Sequence, residues 1–406
     1  MTDLPAPETD ASVEGAMQRA VELGECVRGT TAPNPWVGAV LITTDGQTFE
    51  GATEPPPGRH AEIVALDAAR DVGADSVGGT LVTTLEPCSH TGRTAPCIEA
   101  VISADIARVV VGVTDPDPNV AGTGIEALRD AGIEVQVAAV FGDEVGEGVS
   151  LAPAAAVSLR PYLHQRRYGR PWVVLKMAAT LDGRIGAPDG TSQWITSPTA
   201  RADVHALRAR CDAVLVGAGT VRSDNPSLTV RDLPDDSPHR PLFDLRERLR
   251  DGHPNPATLP FSVAAAERLD PRRYVLGLAS ADASVQPCSE ESGALRGVLR
   301  RLAADGVIEM LVEGGAQIAG ELHRDGFVDE YVVYLAPALS GGDDGLPMLA
   351  GPGAPTIGEF WRGEIADTRT IGADVRITMH PRAQQTIDPS DIAGTAGHGA
   401  RPPNEH

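Results

Sequence analysis

Three separate segments of this chain must meet in space if His60, Cys88 and Cys97 share a metal ion, and no other feature constrains its fold as strongly. Zinc takes nitrogen and sulfur ligands in tetrahedral geometry, and a catalytic site supplies three protein ligands and leaves the fourth position to water. A metal-bound water ionises near neutral pH but needs a neighbouring group to carry its proton to the leaving group. Glu62, two residues after His60, is placed to be that neighbour. His60 and Cys97 fall at the first turns of predicted helices and Cys88 follows a predicted strand, so all three ligands lie at element ends. A positive helix N-terminus there favours thiolate over thiol.

The pairing of H-x-E with P-C-x-x-C is the signature of zinc deaminases, in which the glutamate is the general acid and base. His60-Ala61-Glu62 and Pro87-Cys88 satisfy it, but Ser89 to Pro96 separate the cysteines where the rule has two residues. Net charge narrows the substrate. At -22 for 406 residues the chain repels phosphate backbones, which argues against a nucleic-acid partner. The start MTDLPAPETD has neither a basic nor an apolar leader region, and no run reaches the roughly 18 apolar residues of a membrane span. Five cysteines in so long a chain fit reduced thiols rather than a disulfide framework, so a cytoplasmic protein is expected.

The periodicity predicts alternating α/β structure. A helix over Ser12–Arg28 leads to a strand over Val37–Ile42. Helix Ala61–Arg70, strand Thr80–Leu85, helix Cys97–Ser103, strand Ala107–Val113, helix Ile125–Ala131 and strand Ile133–Val140 follow. The Ala- and Arg-rich stretch 149–170 is expected to link this first domain, 1–148, to a second over 171–382. The second should have strands at Trp172–Met177, Ala213–Val216, Tyr274–Gly277, Ile308–Val312 and Tyr331–Leu335, with Val375–Met379 closing the sheet. Its clearest helices are Thr199–Arg210 and Ala316–His323. Asp232–Ser289 gives no clear pattern, and the polar tail 383–406 is expected to be disordered.

Chemistry-bearing residues cluster at strand ends in the second half too. Arg supplies nearly all the positive charge, and Lys176 is the only lysine, which suggests a position that needs an ammonium. Glycines follow predicted strands at Gly217-Ala218-Gly219 and Glu313-Gly314-Gly315, an arrangement that lets backbone approach a phosphate at a helix N-terminus. No G-x-G-x-x-G is present, so this is not the usual dinucleotide fingerprint.

From about Met17 to about Met379 the chain resembles the bifunctional riboflavin biosynthesis protein RibD family, which joins a pyrimidine deaminase to a 5-amino-6-(5-phosphoribosylamino)uracil reductase. The resemblance is carried by Pro33-Asn34-Pro35, His60-Ala61-Glu62, Thr84 to Cys97, Thr114-Asp115-Pro116-Asp117-Pro118, Ser192-Gln193-Trp194-Ile195-Thr196 and Asp224-Asn225-Pro226. The long spacing between Cys88 and Cys97 is what this family shows. The resemblance implies a cytidine-deaminase-like three-layer α/β/α domain followed by a dihydrofolate-reductase-like α/β domain, with Zn2+ and NADPH as cofactors. It implies a phosphorylated pyrimidine substrate, deaminated hydrolytically and then reduced from ribosyl to ribityl. By the same pattern Ser192, Arg208, Leu228, Arg231 and Glu313 contact substrate; Asn34 is a further substrate-binding candidate, and Lys176 joins Arg208 and Arg231 as a cation available to the sugar and its phosphate. Ala178, Trp194, Thr220, Asp224, Gly315, Ala316, Gln317, Ile318, Ala319, Gly320 and Glu321 line the cofactor site. Self-association is expected. The stretch Pro241-Leu242-Phe243-Asp244 is shorter than the apolar strand the family leads one to expect.

Residue chemistry alone leaves other readings open. His90 is either a fourth ligand or a loop residue, and Arg93 either a phosphate contact or a solvated charge. Trp194 is either core or cofactor wall, and Asp182 is a candidate turn cap. The alternatives are a deaminase of nucleosides or tRNA with an unrelated C-terminal module, a single-activity zinc deaminase with a decayed reductase-like domain, and a non-catalytic binding protein whose reductase-like half has decayed.

Overall fold

The computed structural model describes residues 10–89, 95–117, 120–139, 152–217, 273–276 and 293–382, with Thr220, Leu228 and Val230. His90, Arg93, Asp224, Arg231, Pro241 to Asp244, Cys288 and the tail from 383 lie outside them. Among the described residues no helix is long and apolar enough to cross a membrane.

The first sheet joins β1 (Gly38–Ile42), β2 (Thr48–Ala52), β3 (Thr80–Leu85), β4 (Arg108–Val113) and β5 (Glu134–Ala139) in the order β2-β1-β3-β4-β5. β1 runs antiparallel to β2 and β3, whereas β3, β4 and β5 are parallel. β1, β3 and most of β4 are buried, as expected for strands covered on both faces. On one face Val40, Ile42, Val82 and Val110 pack with Val13, Met17 and Ala20 of α1 (Asp10–Val27). On the other, Leu41, Leu81, Val109 and Val111 pack under α2 (Ala61–Asp71), α3 (Cys97–Ser103) and α4 (Thr123–Asp130). This is the three-layer arrangement that the family resemblance implies.

Residues 149–170 are not a plain linker. They hold α5 (Ala152–Ser158) and α6 (Arg160–Tyr168), and Leu159, Tyr162 and Leu163 join the core of the first sheet. The composition misleads because the buried face of α6 also carries His164 and Gln165, polar residues whose burial depends on partners far along the chain.

The second sheet has the order β13-β14-β11-β6-β10-β8-β9. Its parallel part comprises β6 (Trp172–Thr180), β8 (Ala213–Gly217), β9 (Arg273–Leu276), β10 (Glu309–Val312) and β11 (Glu330–Ala336). A short ribbon pairs β7 (Arg184–Gly186) with β12 (Leu346–Pro347). α7 (Pro198–Arg210) packs on one face with Trp172, Val174, Val214 and Val332; α8 (Gly293–Ala304) and α9 (Ala316–Arg324) cover the other. Ser197 caps α7 by accepting the Ala200 N–H, with Pro198 at the first turn. β14 (Asp374–Pro381) does not close this sheet: β13 (Gly363–Ile371) lies outside it as the edge. β13 escapes a reading by alternation because most of its side chains are exposed.

Candidate functional site

His60 stands at the N-cap of α2, Cys97 opens α3, and Cys88 lies three residues beyond β3. Their donor atoms all fall within 4.8 Å of one another. His60 Nδ1 is 3.2 Å from Cys97 Sγ and 3.6 Å from Cys88 Sγ. A tetrahedral zinc, bound at about 2.3 Å to sulfur and about 2.0 Å to nitrogen, holds its ligand atoms roughly 3.5 Å apart, so the donor set fits that ion. The backbone N–H of Cys97 donates to Cys88 Sγ at 3.4 Å, which supports negative charge on that sulfur. The Cys97 thiol beside it and His60 lower the pKa of Cys88, while Cys97 is pushed up by the hydrogen bond it donates to Cys88 and by burial.

Glu62 is 4% exposed in the first turn of α2, beside His60 and the two thiols. Burial pushes its carboxyl up to about 7, where a group both accepts and releases protons in neutral solution.

Two loops border this centre at the same end of the sheet. Residues 31–37 enter β1, where the Gly38 N–H donates to Thr84 Oγ1 and the Val37 N–H to Thr53 Oγ1. Asn34 is half-buried in that loop, with its N–H donating to the Thr31 carbonyl and its own carbonyl accepting the Thr31 hydroxyl. The second loop, 114–124, is held by Glu86, a carboxylate 3% exposed. Glu86 accepts the backbone N–H groups of Asp115, Gly122, Gly124 and Ile125 at 3.1–3.3 Å. Gly124 is needed there, because a Cβ would lie 2.1 Å from the Pro87 carbonyl oxygen. The carboxylate thus anchors the approach to Cys88 to the start of α4. It was not singled out in the sequence, although a charge between a buried strand and Pro87-Cys88 is a legible signal.

The second constellation sits at the C-terminal ends of the parallel strands of the other sheet, where open α/β sheets bind ligands. Glu313, just past β10, takes a two-pronged contact from Arg208 of α7, with Nε to Oε1 and Nη2 to Oε2, the latter 3.0 Å. Lys176 Nζ lies 3.9 Å from Glu313 Oε2 and 6.0 Å from the centre of the Tyr334 ring. Burial lowers the Lys176 pKa, opposed by Glu313. Lys176, Ala178 and Thr180 share the less buried face of β6, which brings Ala178 beside the charged group. Gly315 forms the N-cap of α9 without a side-chain cap, and the nearest atom a Cβ there would meet is Thr220 Oγ1 at 4.0 Å. An uncapped helix start with room over its glycine suits a phosphate.

The other residues expected here divide. Ser192 is half-buried between β7 and α7, and Trp194 is 67% exposed with the Arg201 guanidinium 4.4 Å over its ring. Gln317 is exposed at the start of α9 and Glu321 half-buried near its end, whereas Ile318, Ala319 and Gly320 are buried. Leu228 is also buried, among Val216, Leu311 and Tyr334, with a positive φ of 50°. Asp182 does not cap the turn at Gly183, whose N–H goes to the Thr180 carbonyl; it accepts the N–H groups of distant Ser340 and Gly341 instead.

Residues 11–113 match the cytidine and deoxycytidylate deaminase zinc-binding region and residues 171–377 the RibD C-terminal domain. The riboflavin biosynthesis protein RibD of Mycobacterium tuberculosis is 36% identical over 373 residues, 91% of this chain and 98% of the relative. Its Escherichia coli counterpart is 36% identical over 380 residues, 88% and 96% of the two chains. Among solved structures, the diaminohydroxyphosphoribosylaminopyrimidine deaminase/5-amino-6-(5-phosphoribosylamino)uracil reductase of Thermotoga maritima is similar with a TM-score of 0.74 at 29% identity. That match covers 92% of this chain and 100% of the other. Acinetobacter baumannii RibD has a TM-score of 0.73 at 30% identity, covering 92% and 99%. Two sites on two matching domains, together with relatives that span nearly the whole length, show that the chain belongs to the bifunctional RibD family of riboflavin biosynthesis.

Proposed function

We propose that the chain performs two consecutive steps on one phosphorylated pyrimidine. The first removes the 2-amino group of 2,5-diamino-6-(5-phosphoribosylamino)pyrimidin-4(3H)-one by hydrolysis; the second reduces its ribosyl side chain to ribityl with NADPH. The observation that carries the reading is the convergence of His60, Cys88 and Cys97 beside a buried Glu62. The substrate is the one named for the Thermotoga protein.

His60, Cys88 and Cys97 would hold a zinc ion, which when bound would supply an activated water for the hydrolysis. Glu62, buried beside the triad with its carboxyl pushed up to about 7, is suited to hold a proton and deliver it to the departing amine. Asn34, in the loop beside the triad, orients the pyrimidine. At the second site NADPH supplies the hydride. Arg208 and Lys176, kept in place by Glu313, hold the anionic sugar phosphate, with Ser192, Leu228 and Arg231 completing its surroundings. Ala178, Trp194, Thr220, Asp224 and the start of α9 from Gly315 to Gln317 hold the dinucleotide; Ile318 to Glu321 serve as the rest of the helix that carries it. The exposed edge strand β13, with Ile365 66% exposed, supports a homo-oligomer of at least two chains, and the reduced-thiol composition supports a cytoplasmic location.

The test measures zinc content and both half-reactions on one preparation. Stoichiometric zinc, deamination abolished by chelation, and NADPH oxidation that depends on the deaminated pyrimidine are expected. Deamination at full rate after exhaustive chelation, or no NADPH oxidation with that pyrimidine, overturns the reading.

A further inference from the structure

Helix α6 stands between the two domains and touches both loops that border the zinc triad. Tyr162, 3% exposed, donates its hydroxyl to Asp115 Oδ2 at 2.9 Å. One turn along, Arg166 Nη2 donates to the Pro33 carbonyl at 3.3 Å, and its Nε lies 3.7 Å from Asp117 Oδ2. The Arg166 guanidinium also lies 5.1 Å from the Tyr162 ring centre, so the two side chains form one unit. A single helical face therefore grips Pro33, next to Asn34, and Asp115 with Asp117, in the loop that Glu86 ties to the approach to Cys88.

Leu163 of α6 packs in the first-sheet core, and other side chains of the helix reach the reductase side. Gln165 Nε2 donates to the Ala303 carbonyl at 3.4 Å, and buried His164 lies 3.7 Å from Asp329. Asp329 is itself clamped by both Arg170 nitrogens at 2.6 and 2.8 Å and by the Val173 N–H at 2.8 Å. Pro33 also rests on the second domain directly, since a Cβ at Gly306 would come within 2.9 Å of the Pro33 Cβ. Gly306, with a φ of +87°, is in the left-handed region, where glycine is unstrained. The loop that carries Asn34 is thus backed by reductase-domain residues rather than by its own sheet alone.

We infer that Tyr162 and Arg166 are positioning residues of the deaminase, which set the two loops beside its triad from a helix packed into the first-sheet core and tied through Gln165 and His164 to the reductase domain. Neither touches the triad; both act through Pro33, Asp115 and Asp117. Displacing catalytic geometry by about 1 Å costs on the order of a hundredfold in rate, so loops held at carbonyl and carboxylate by one helix are sensitive to its loss. The inference rests on the deaminase reading above, and the experiment separates the two.

Arg166→Ala, Arg166→Lys and Tyr162→Phe are made in the full chain, and kcat and KM of each half-reaction are measured with zinc content and Tm. Arg166→Ala is expected to raise the deaminase KM at least fivefold, with zinc content and the reductase constants unchanged. Arg166→Lys, which keeps the charge and one donor, is expected to recover part of that loss. Tyr162→Phe is expected to act in the same direction. Unchanged deaminase constants in Arg166→Ala and Tyr162→Phe overturn the inference, as does a parallel fall of both activities that follows Tm. Wild-type protein without deamination overturns the underlying reading instead.

Discussion

Arg28→Met should expose how the domains are joined. Arg28 of the first domain meets Glu309 of the second through Nε at 3.0 Å and Nη2 at 2.9 Å, and the Glu309 side chain is 0% exposed. Burial pushes the Glu309 carboxyl up, and Arg28 and Arg210 pull it back. Methionine keeps an apolar stem near Trp36, over which the guanidinium lies at 4.6 Å, but it strands the carboxylate. Breaking a buried pair in this way costs about 3–5 kcal/mol. Protonation of the stranded carboxyl limits the cost, and does so more as pH falls toward the ordinary value of 4.5. Because the folded-state pKa is raised, the penalty is absent below the unfolded value and grows as pH rises above it. The loss should therefore be largest at and above pH 7, within the about 3–5 kcal/mol of a broken buried pair, and should shrink as pH falls toward 4.5. Arg210 at 3.3 Å softens it but is shared with Glu330 at 2.7 Å. Urea unfolding of the zinc-loaded chain across this pH range is the assay. Adding Glu309→Leu should restore most of the loss, since an apolar replacement of a buried pair is close to neutral and Arg210 retains Glu330. A pH-independent loss, or a double variant no more stable than Arg28→Met, would refute the reasoning.

Glu62→Gln should lower deamination by about 10²–10⁴-fold while zinc content and reduction stay at wild-type levels; coupled metal analysis and kinetics check it. Asp115→Asn should stabilise the chain at pH 7. Burial raises that carboxyl from 3.8 to about 6, so wild-type stability falls as pH rises through this window, by up to about 3 kcal/mol. Melting curves of the pair should converge below pH 4. Glu313→Gln should reduce reductase kcat/KM by at least about tenfold, the scale of one charge-assisted bidentate contact, with deamination unaffected in the same sample.

The metal triad was legible because few residue types bind zinc and their placement at element ends follows from local periodicity. Helices α7 and α9 were legible for a similar reason: Ser197-Pro198 marks one start, and Ile318, Ala319 and Leu322 repeat at helical spacing along the other. What escaped depends on partners distant in sequence. Tyr162 is explained by Asp115, and Arg28 by Glu309, 281 residues away. The family pattern places Ile318, Ala319 and Gly320 near the cofactor, but their burial follows from which face of α9 meets the sheet, and that is a tertiary fact. β13 is missing from the sequence reading because an edge strand with solvent on its side chains carries little alternation.

The same dependence on distant partners explains how a chain of net charge -22 accommodates an anionic substrate. A field that repels phosphate over the surface must be reversed locally, and around Glu313 two cations face one carboxylate. Arg208 engages both carboxylate oxygens, whereas Lys176 stays at 3.9 Å, beyond hydrogen-bond distance. The pair is fixed in place without the ammonium donors being directed at Glu313, and the local balance is one positive charge. An arginine at 176 would bring a second planar fork to a carboxylate already occupied on both oxygens; an ammonium on a flexible stem suits the remaining position. That geometry accounts for a lysine surviving in a sequence that otherwise uses arginine throughout.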